Sequence, residues 1–415
     1  MNYKTYKRNN YNIHLIQTDN FKTITVSFVF QKKGTAIDEV YQALLRKILS
    51  LRTEKYSSRE SLAKAGAKIY NPITLFKTSS NPSYRTFRII TQFANEKYTS
   101  KGMNKKSIEF VMDYFWHPYV TNDGFDKELF KLCKKNYIQS LETAKNYPEE
   151  YALDRFWQVS DVYNYKLYTN DELITLARKI DEKSLYEYYK KMFTNSSQDI
   201  FIIGDVSEDF VNIIDNYIYG DFIKREDVIS KKHSLIECKK IVETTDNPQT
   251  KLFLGYKMLD ITKFEENYVA YIFSMILGGG TEGLLHKCVR TEKSLCYYIY
   301  ANYYNLFNLI LISAGIDKKV EEDVITLAKK QVLKIQNGEF SFERVEEIVG
   351  LYKNILLESK DNPELILNNL ISVVMQNNDD IDTRINVIDK ITKEDIVKFS
   401  KKIDLDTIYL LEGNL

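Results

Sequence analysis

The sequence predicts an α+β protein of two homologous units, each a mostly antiparallel sheet with packed helices. Three observations lead there. The chain has 415 residues, more than one hydrophobic core ordinarily organises. Two stretches half a chain apart are written alike: residues 180–205 read IDEKSLYEYYKKMFTNSSQDIFIIGD and residues 391–414 read ITKEDIVKFSKKIDLDTIYLLEGN. Short apolar runs also alternate with helical patterns in a similar order in both halves, which suits helices layered on a sheet.

In the repeated segment, Asp181 or Thr392 serves as a helix cap, an amphipathic helix ends in Lys-Lys, and an apolar strand closes at Gly204 or Gly413. The first half opens with strands at 11–17 and 23–31, then helices at 38–51 and 58–70. Strands near 71–78 and 85–93 follow, and then helices to about residue 193. The second half opens with a strand at 251–257, a helix at 268–277, Gly278-Gly279-Gly280 and a helix at 282–291. Strands at 296–303 and 309–316 precede helices at 320–336, 342–359 and 363–376. The stretch around 221–247 is polar and charged, as linkers are. The expected organisation is one domain over 1–222, a linker over 223–247 and a second domain over 248–415.

A formal net charge of +1 gives no electrostatic reason to expect a nucleic-acid partner. Cys133, Cys238, Cys288 and Cys296 show no paired spacing and read as free thiols of a reducing compartment. The start, MNYKTYKRNNYNIHLIQ, lacks the apolar stretch of a secretory signal, and no run of about 18 apolar residues exists to span a membrane. A cytoplasmic location with no membrane contact is expected.

The helix at 38–51, DEVYQALLRKILSL, places Val40, Ala43, Leu44, Ile48 and Leu51 at helical spacing. Thr53-Glu54-Lys55-Tyr56 closes it, and the next helix runs into Gly66-Ala67-Lys68-Ile69-Tyr70. This order resembles the first domain of the pitrilysin/insulinase (inverzincin) family of zinc peptidases, in which a His-x-x-Glu-His helix ends shortly before a similar Thr-Glu-x-Tyr turn. Counting back from Thr53, the resemblance puts Ala43 and Lys47 at the histidine positions and Arg46 at the catalytic glutamate. Alanine offers no lone pair, and lysine and arginine are cations near neutral pH. Such a site repels a divalent metal rather than ligating it. As residues alone, Arg46 and Lys47 read as the solvated face of an amphipathic helix.

The resemblance covers the whole chain as a half-molecule of two pitrilysin-like domains. The strings Ala94-Asn95-Glu96-Lys97-Tyr98, Gly204-Asp205-Val206-Ser207-Glu208 and Ile391-Thr392-Lys393-Glu394-Asp395-Ile396 resemble its zinc-less, YmfF-like branch. Members of that branch occur beside a zinc-bearing, YmfH-like subunit.

Residues 289–298, VRTEKSLCYY, carry Arg290 and Tyr297 at an Arg-x(6)-Tyr spacing after the glycine turn. Active relatives carry this pair in the second domain. The resemblance therefore implies that Arg290 donates to a substrate carbonyl and Tyr297 to a developing oxyanion. Spacing alone favours a solvent-facing arginine and one tyrosine among 31, and strand alternation leaves Tyr298 as the alternative. The triple glycine lacks the Gly-Lys-Ser/Thr of a phosphate loop and reads as a tight turn. His14, His117, His233 and His286 are scattered, and His286 with Cys288 supplies only two ligands. Glu128 and Glu142 lie where the family carries its third zinc ligand, but without a histidine pair they read as solvated charges.

The implied function is that of a non-catalytic, substrate-binding subunit of a heterodimeric zinc metallopeptidase. Its partners are a zinc-bearing pitrilysin-family subunit and a peptide. No metal or cofactor is expected in this chain, and zinc is expected in the partner. The alternative is a scaffold subunit of the same fold with no role in peptide cleavage.

Overall fold

The computed structural model describes residues 2–80, 84–160, 168–220, 222–223 and 237–414. The chain begins with strands β1 (Asn2–Lys7), β2 (Tyr11–Gln17) and β3 (Thr23–Lys33), then helices α1 (Ala36–Leu49) and α2 (Arg59–Ala67). Next come β4 (Ile73–Ser80), β5 (Tyr84–Ala94), α3 (Met103–Trp116), the short pair β6 (Val120–Thr121) and β7 (Gly124–Phe125), and α4 (Lys127–Glu142). Helices α5 (Pro148–Val159), α6 (Asn170–Lys179) and α7 (Glu182–Asn195) lead to β8 (Ser197–Gly204), α8 (Glu208–Asp215), β9 (Lys239–Thr244) and β10 (Thr250–Met258). Then follow α9 (Ala270–Gly278), β11 (Cys296–Tyr304), β12 (Leu309–Ile316), α10 (Glu321–Gln336), α11 (Phe342–Glu358) and α12 (Pro363–Gln376). Helices α13 (Ile381–Ile388) and α14 (Lys393–Ser400) and strand β13 (Ile403–Glu412) complete the chain.

The repeat seen in the sequence is a repeat of topology. One sheet has the order β1-β2-β8-β3-β5-β4 and the other, read from its far edge, β9-β13-β10-β12-β11. With β1 set aside, they correspond strand for strand. The one parallel pairing in each recurs as well, β2 with β8 and β9 with β13. All other pairings in both sheets are antiparallel. The repeated segments fold alike: Asp181 and Thr392 each form a capping box, with Ser184 and Asp395 as the reciprocal partners.

The chain forms two compact units, and their boundaries differ from a single cut near 222–248. One unit comprises 1–142, 170–229 and 362–376; the other comprises 143–169, 230–361 and 377–415. Helix α5 of the first half thus belongs to the second unit, and helix α12 of the second half to the first. The apolar faces of the two helices account for the exchange. Ala152 and Phe156 of α5 pack with Phe253, Leu309, Leu311, Tyr409 and Leu411. A side chain at Gly255 would begin 2.6 Å from the Phe156 ring, so only glycine lets α5 settle here. Ile366, Leu367 and Leu370 of α12 pack with Ile16, Val29, Phe201 and Ile203.

The stretch read as a linker contains strand β9, whose Lys-Lys-Ile-Val-Glu-Thr is only half-buried at alternate positions. Its charges mark an edge strand. Residues 221 and 224–236 of that stretch lie outside the described residues. The opposite faces of both sheets carry the larger cores. In the first unit Phe28, Phe30, Phe87, Phe115 and Phe193 are buried together, with Phe30 and Phe193 edge to face at 4.7 Å. In the second, β10–β12 pack against α9, α10 and α14 through Leu254, Phe273, Ile312, Val324 and Phe399.

Candidate functional site

Helix α1 starts at Thr35, whose backbone N–H and hydroxyl both donate to Asp38 Oδ2, at 2.8 and 3.1 Å. Val40, Leu44, Leu45, Ile48 and Leu49 are buried and fix its rotation. That rotation leaves Ala43 and Lys47 half-buried and Arg46 exposed, and positions 43, 46 and 47 share one side of the helix. Helix α1 packs on α4, whose Cys133 and Tyr137 are buried. Burial pushes the Cys133 thiol pKa up, while Lys47 and Arg59 draw it down. Burial likewise raises the Tyr137 phenol, assisted by Glu39 and opposed by Arg46. Lys47 and Arg59 therefore act at Cys133, and Arg46 at Tyr137.

No group of three or more His, Cys, Asp or Glu side chains among the described residues is placed to hold a metal ion. Glu128 is paired on the surface with Lys131 at 2.7 Å, and Glu142 faces Arg178 at 4.0 Å. His14 is buried between Asp199, 3.2 Å from Nε2, and Tyr3, 2.9 Å from Nδ1. His117 lies 3.9 Å from Glu54 and His286 3.5 Å from the Thr291 hydroxyl. His233 lies outside the described residues.

In the second unit, a π-helical turn, His286–Glu292, carries Arg290 on its exposed side. The chain reverses at Ser294, which takes a left-handed φ of 54°. The N–H groups of Ser294 and Leu295 donate to the carbonyls of Arg290 and Val289, at 3.1 and 3.0 Å. Strand β11 then begins with a bulge: Cys296 pairs with Ile316 and Tyr298 with Gly315, leaving Tyr297 as the extra residue. Tyr297 is 56% exposed, and its hydroxyl donates to Asp317 Oδ1 at 3.0 Å. That hydrogen bond raises its pKa. Tyr298 is half-buried and stacks on Tyr300 at 5.8 Å, with Lys251 Nζ 5.1 Å from its ring centroid. Burial pushes its phenol well above the usual range. The bulge, and not simple alternation, thus separates the two tyrosines. Arg290 and Tyr297 flank Cys296, whose thiol burial raises to about 11 and Arg290 draws down.

The triple glycine sits where backbone meets backbone. A side chain at Gly278 would begin 2.4 Å from the Ala301 nitrogen, and Gly280 turns the chain with a φ of +67°. This seats the end of α9 against β11 and fixes where the following turn delivers Arg290. Cys133, Tyr137, Arg59 and Asp317 were not among the residues that the sequence marked. Asp317 was within reach of hairpin logic, because it directly follows β12, the strand that pairs with β11. The others depend on how α2 and α4 pack, which spacing does not reveal.

Comparison with known proteins agrees with this layout. The family described as "Peptidase M16 inactive domain" matches residues 179–351. The chain is 24% identical over 408 residues to "Probable inactive metalloprotease YmfF" of Bacillus subtilis (strain 168), covering 96% of this chain and 95% of that one. Among solved structures, a conserved protein from Enterococcus faecalis V583 superposes with a TM-score of 0.91 at 22% identity, covering 100% of this chain and 99% of the other. Pitrilysin superposes with a TM-score of 0.71 at 13% identity, and the match spans 99% of this chain and 43% of pitrilysin. Among the described residues no helix is long and apolar enough to cross a membrane. The chain thus has the pitrilysin-type fold over its whole length, and residues 179–351 are similar to the inactive domain of the M16 peptidases.

Proposed function

We propose that this chain is the substrate-binding, non-catalytic subunit of a cytoplasmic heterodimeric zinc metallopeptidase acting on peptides. The observation that supports the reading is an asymmetry between the two units. In the first, Ala43, Arg46 and Lys47 occupy the positions that the resemblance assigns to the metal motif, and they offer a divalent ion two cations and a methyl group. In the second, Arg290 and Tyr297 are exposed and unencumbered by the core. A zinc-bearing pitrilysin-family partner supplies the metal, which polarises the scissile carbonyl and activates water. Arg290 offers its planar fork to that carbonyl and Tyr297 its hydroxyl to the oxyanion, where donors count most. The peptide is held as an added strand, for which β4 is an outer strand with Ile73 and Leu75 exposed.

The test combines the purified chain with a His-x-x-Glu-His partner and follows peptide cleavage. Arg290→Ala and Tyr297→Phe should each lower kcat with little change in KM. Unchanged cleavage in both variants refutes the shared site. A scaffold role, without substrate contact, is favoured by one observation: the Tyr297 hydroxyl is already engaged by Asp317. A partner that cleaves equally well alone establishes that second reading.

A further inference from the structure

We propose that the turn at Thr53–Tyr56 and helices α2 and α3 form a docking pocket for an acidic peptide segment that carries one large apolar side chain. The proposal is independent of the shared-site reading above. The walls are held by tight turns. Thr53 is fully buried, its N–H donates to the Tyr56 carbonyl at 3.1 Å, and the Tyr56 N–H donates back to the Thr53 carbonyl at 3.1 Å. Near the end of α2, the Gly66 carbonyl accepts from the N–H groups of Ile69 and Asn71, at 3.0 and 2.8 Å. Tyr70 and Asn71 complete that turn with left-handed φ values of 63° and 52°.

Between these turns and α3 lies a cavity of about 550 Å³, within the size range of ligand sites. Its floor is apolar: Ile69, and the rings of Tyr56 and Phe110 with centroids 5.6 Å apart. Four lysines from three elements line it: Lys55 of the turn, Lys64 of α2, Lys68 at the α2 C-cap and Lys106 of α3. Glu109, the carboxylate in the lining, already accepts the Tyr217 hydroxyl at 2.8 Å and faces Lys105 at 3.9 Å. Lys64 is paired with Glu60, and Lys55 lies 3.7 Å from Asp113. Lys68 and Lys106 are exposed, and their ammonium groups have no hydrogen-bond or ion-pair partner among the described residues. They are the charges left for a ligand. A lone phosphate calls for donors that converge on one point. Here the ammonium groups come from separate elements around an aromatic floor. That layout suits an apolar side chain seated on the rings, with the carboxylates of its neighbours reaching the lysines. Solvated ion pairs are individually weak, so the apolar anchor carries much of the affinity.

The experiment measures, by anisotropy at low ionic strength, binding of fluorescein-labelled Gly-Asp-Glu-Phe-Glu-Asp-Gly amide to the full chain. A neutral counterpart, with Asn and Gln for Asp and Glu, should bind about tenfold more weakly, and so should the acidic peptide with Ser in place of Phe. Lys68→Glu/Lys106→Glu, which alters two exposed side chains, should abolish the preference for the acidic peptide over the neutral one. Lys127→Glu/Lys191→Glu makes the same change in net charge at exposed positions outside the pocket and should preserve it. Added salt should narrow the gap. No binding of the acidic peptide, or equal binding of the neutral one, overturns the proposal. An equal loss in both lysine variants overturns the pocket in favour of the field of the whole chain. Equal binding of the Phe and Ser peptides, or displacement by inorganic phosphate at matched ionic strength, overturns the peptide site in favour of a small anion. Arg290 and Tyr297 are tested separately, by cleavage.

Discussion

The hydroxyl of Tyr297 donates to Asp317 Oδ1 at 3.0 Å, joining the bulge that opens β11 to the residue that follows β12. The carboxylate favours the protonated phenol and raises its pKa above the ordinary 10.0. Tyr297 therefore remains a donor throughout the neutral range. Because the folded pKa is raised, the favourable contribution is present below the unfolded pKa of about 10 and is lost as pH rises through the folded value. Asp317→Asn should move the Tyr297 titration down toward the ordinary value. The check is ¹³C-tyrosine NMR at alkaline pH, with Tyr297→Phe identifying the resonance.

The proposal that Ala43, Arg46 and Lys47 stand where zinc-binding relatives carry their motif can be tested by installing that motif. Ala43→His, Arg46→Glu and Lys47→His together return two imidazoles at i and i+4 and remove two cations. Cys133 is a buried thiol of α4, the helix that packs on α1, and is the candidate third ligand. The triple variant should bind one zinc, with the thiol losing its proton on binding. Adding Cys133→Ser should weaken binding by about 10-fold or more, on the scale of losing a ligand interaction. Equilibrium dialysis with metal analysis reads both outcomes. Equal zinc affinity with and without Cys133 excludes the thiol as a ligand.

Much of this architecture could be read in the sequence because local pattern and tertiary role coincide. The strand at 11–17, the strand at 309–316 and the helix at 363–376 have the bounds that periodicity gave them. The caps Asp181 and Thr392 announced two copies of one unit. The destinations of α5 and α12 were hidden, because an apolar helix face does not state which sheet it will meet. Strand β9 was hidden for another reason: its lysines and glutamate suit a sheet edge as well as a linker. The packing of α1 on α4 was hidden as well, because α4 lies far along the chain from α1.

Gly278 should tolerate no side chain. A Cβ there would lie 2.4 Å from the Ala301 nitrogen and 2.8 Å from its Cβ, in backbone that cannot rotate away. Gly278→Ala should destabilise the second unit by about 1–3 kcal/mol, the usual range for overpacking. It should also shift the turn that carries Arg290. Thermal unfolding measures the first effect. In the proposed complex with a zinc-bearing partner, the second should appear as reduced cleavage at temperatures where the variant remains folded.

Lys257 and Asp406 form an ion pair at 2.7 Å, with both side chains about 5% exposed. Asp406 is the extra residue of a bulge in β13, where Tyr256 pairs with Leu405 and Gly255 with Thr407. The Thr407 hydroxyl also donates to the same carboxylate, at 2.6 Å. Removing one partner strands a buried charge, so Lys257→Met should cost about 3–5 kcal/mol. The double variant Lys257→Met/Asp406→Leu should regain most of that loss, since two apolar side chains need no counter-ion. Denaturant unfolding of the two variants gives the comparison. A double variant as unstable as the single one would show that the bulge itself requires the carboxylate.

Arg155 ties the exchanged helix α5 to strand β9: its Nε lies 3.1 Å from both carboxylate oxygens of Glu243, which also accepts the Tyr409 hydroxyl at 3.2 Å. The hydrogen bond from Arg155 is the largest influence on Glu243 and holds its pKa below the ordinary 4.5. A depressed folded pKa means the contribution is fully present above the unfolded value and is lost as pH falls through the folded one. Both groups are partly solvated, so Glu243→Gln should cost only about 1 kcal/mol at neutral pH. The gap between wild type and variant should close below about pH 4, where protonation removes the same charge. Calorimetric Tm values across that range read the effect. A gap that persists unchanged at low pH would mean that the Glu243 carboxylate owes its role to shape and not to charge, and that α5 is held by Phe156 and its neighbours alone.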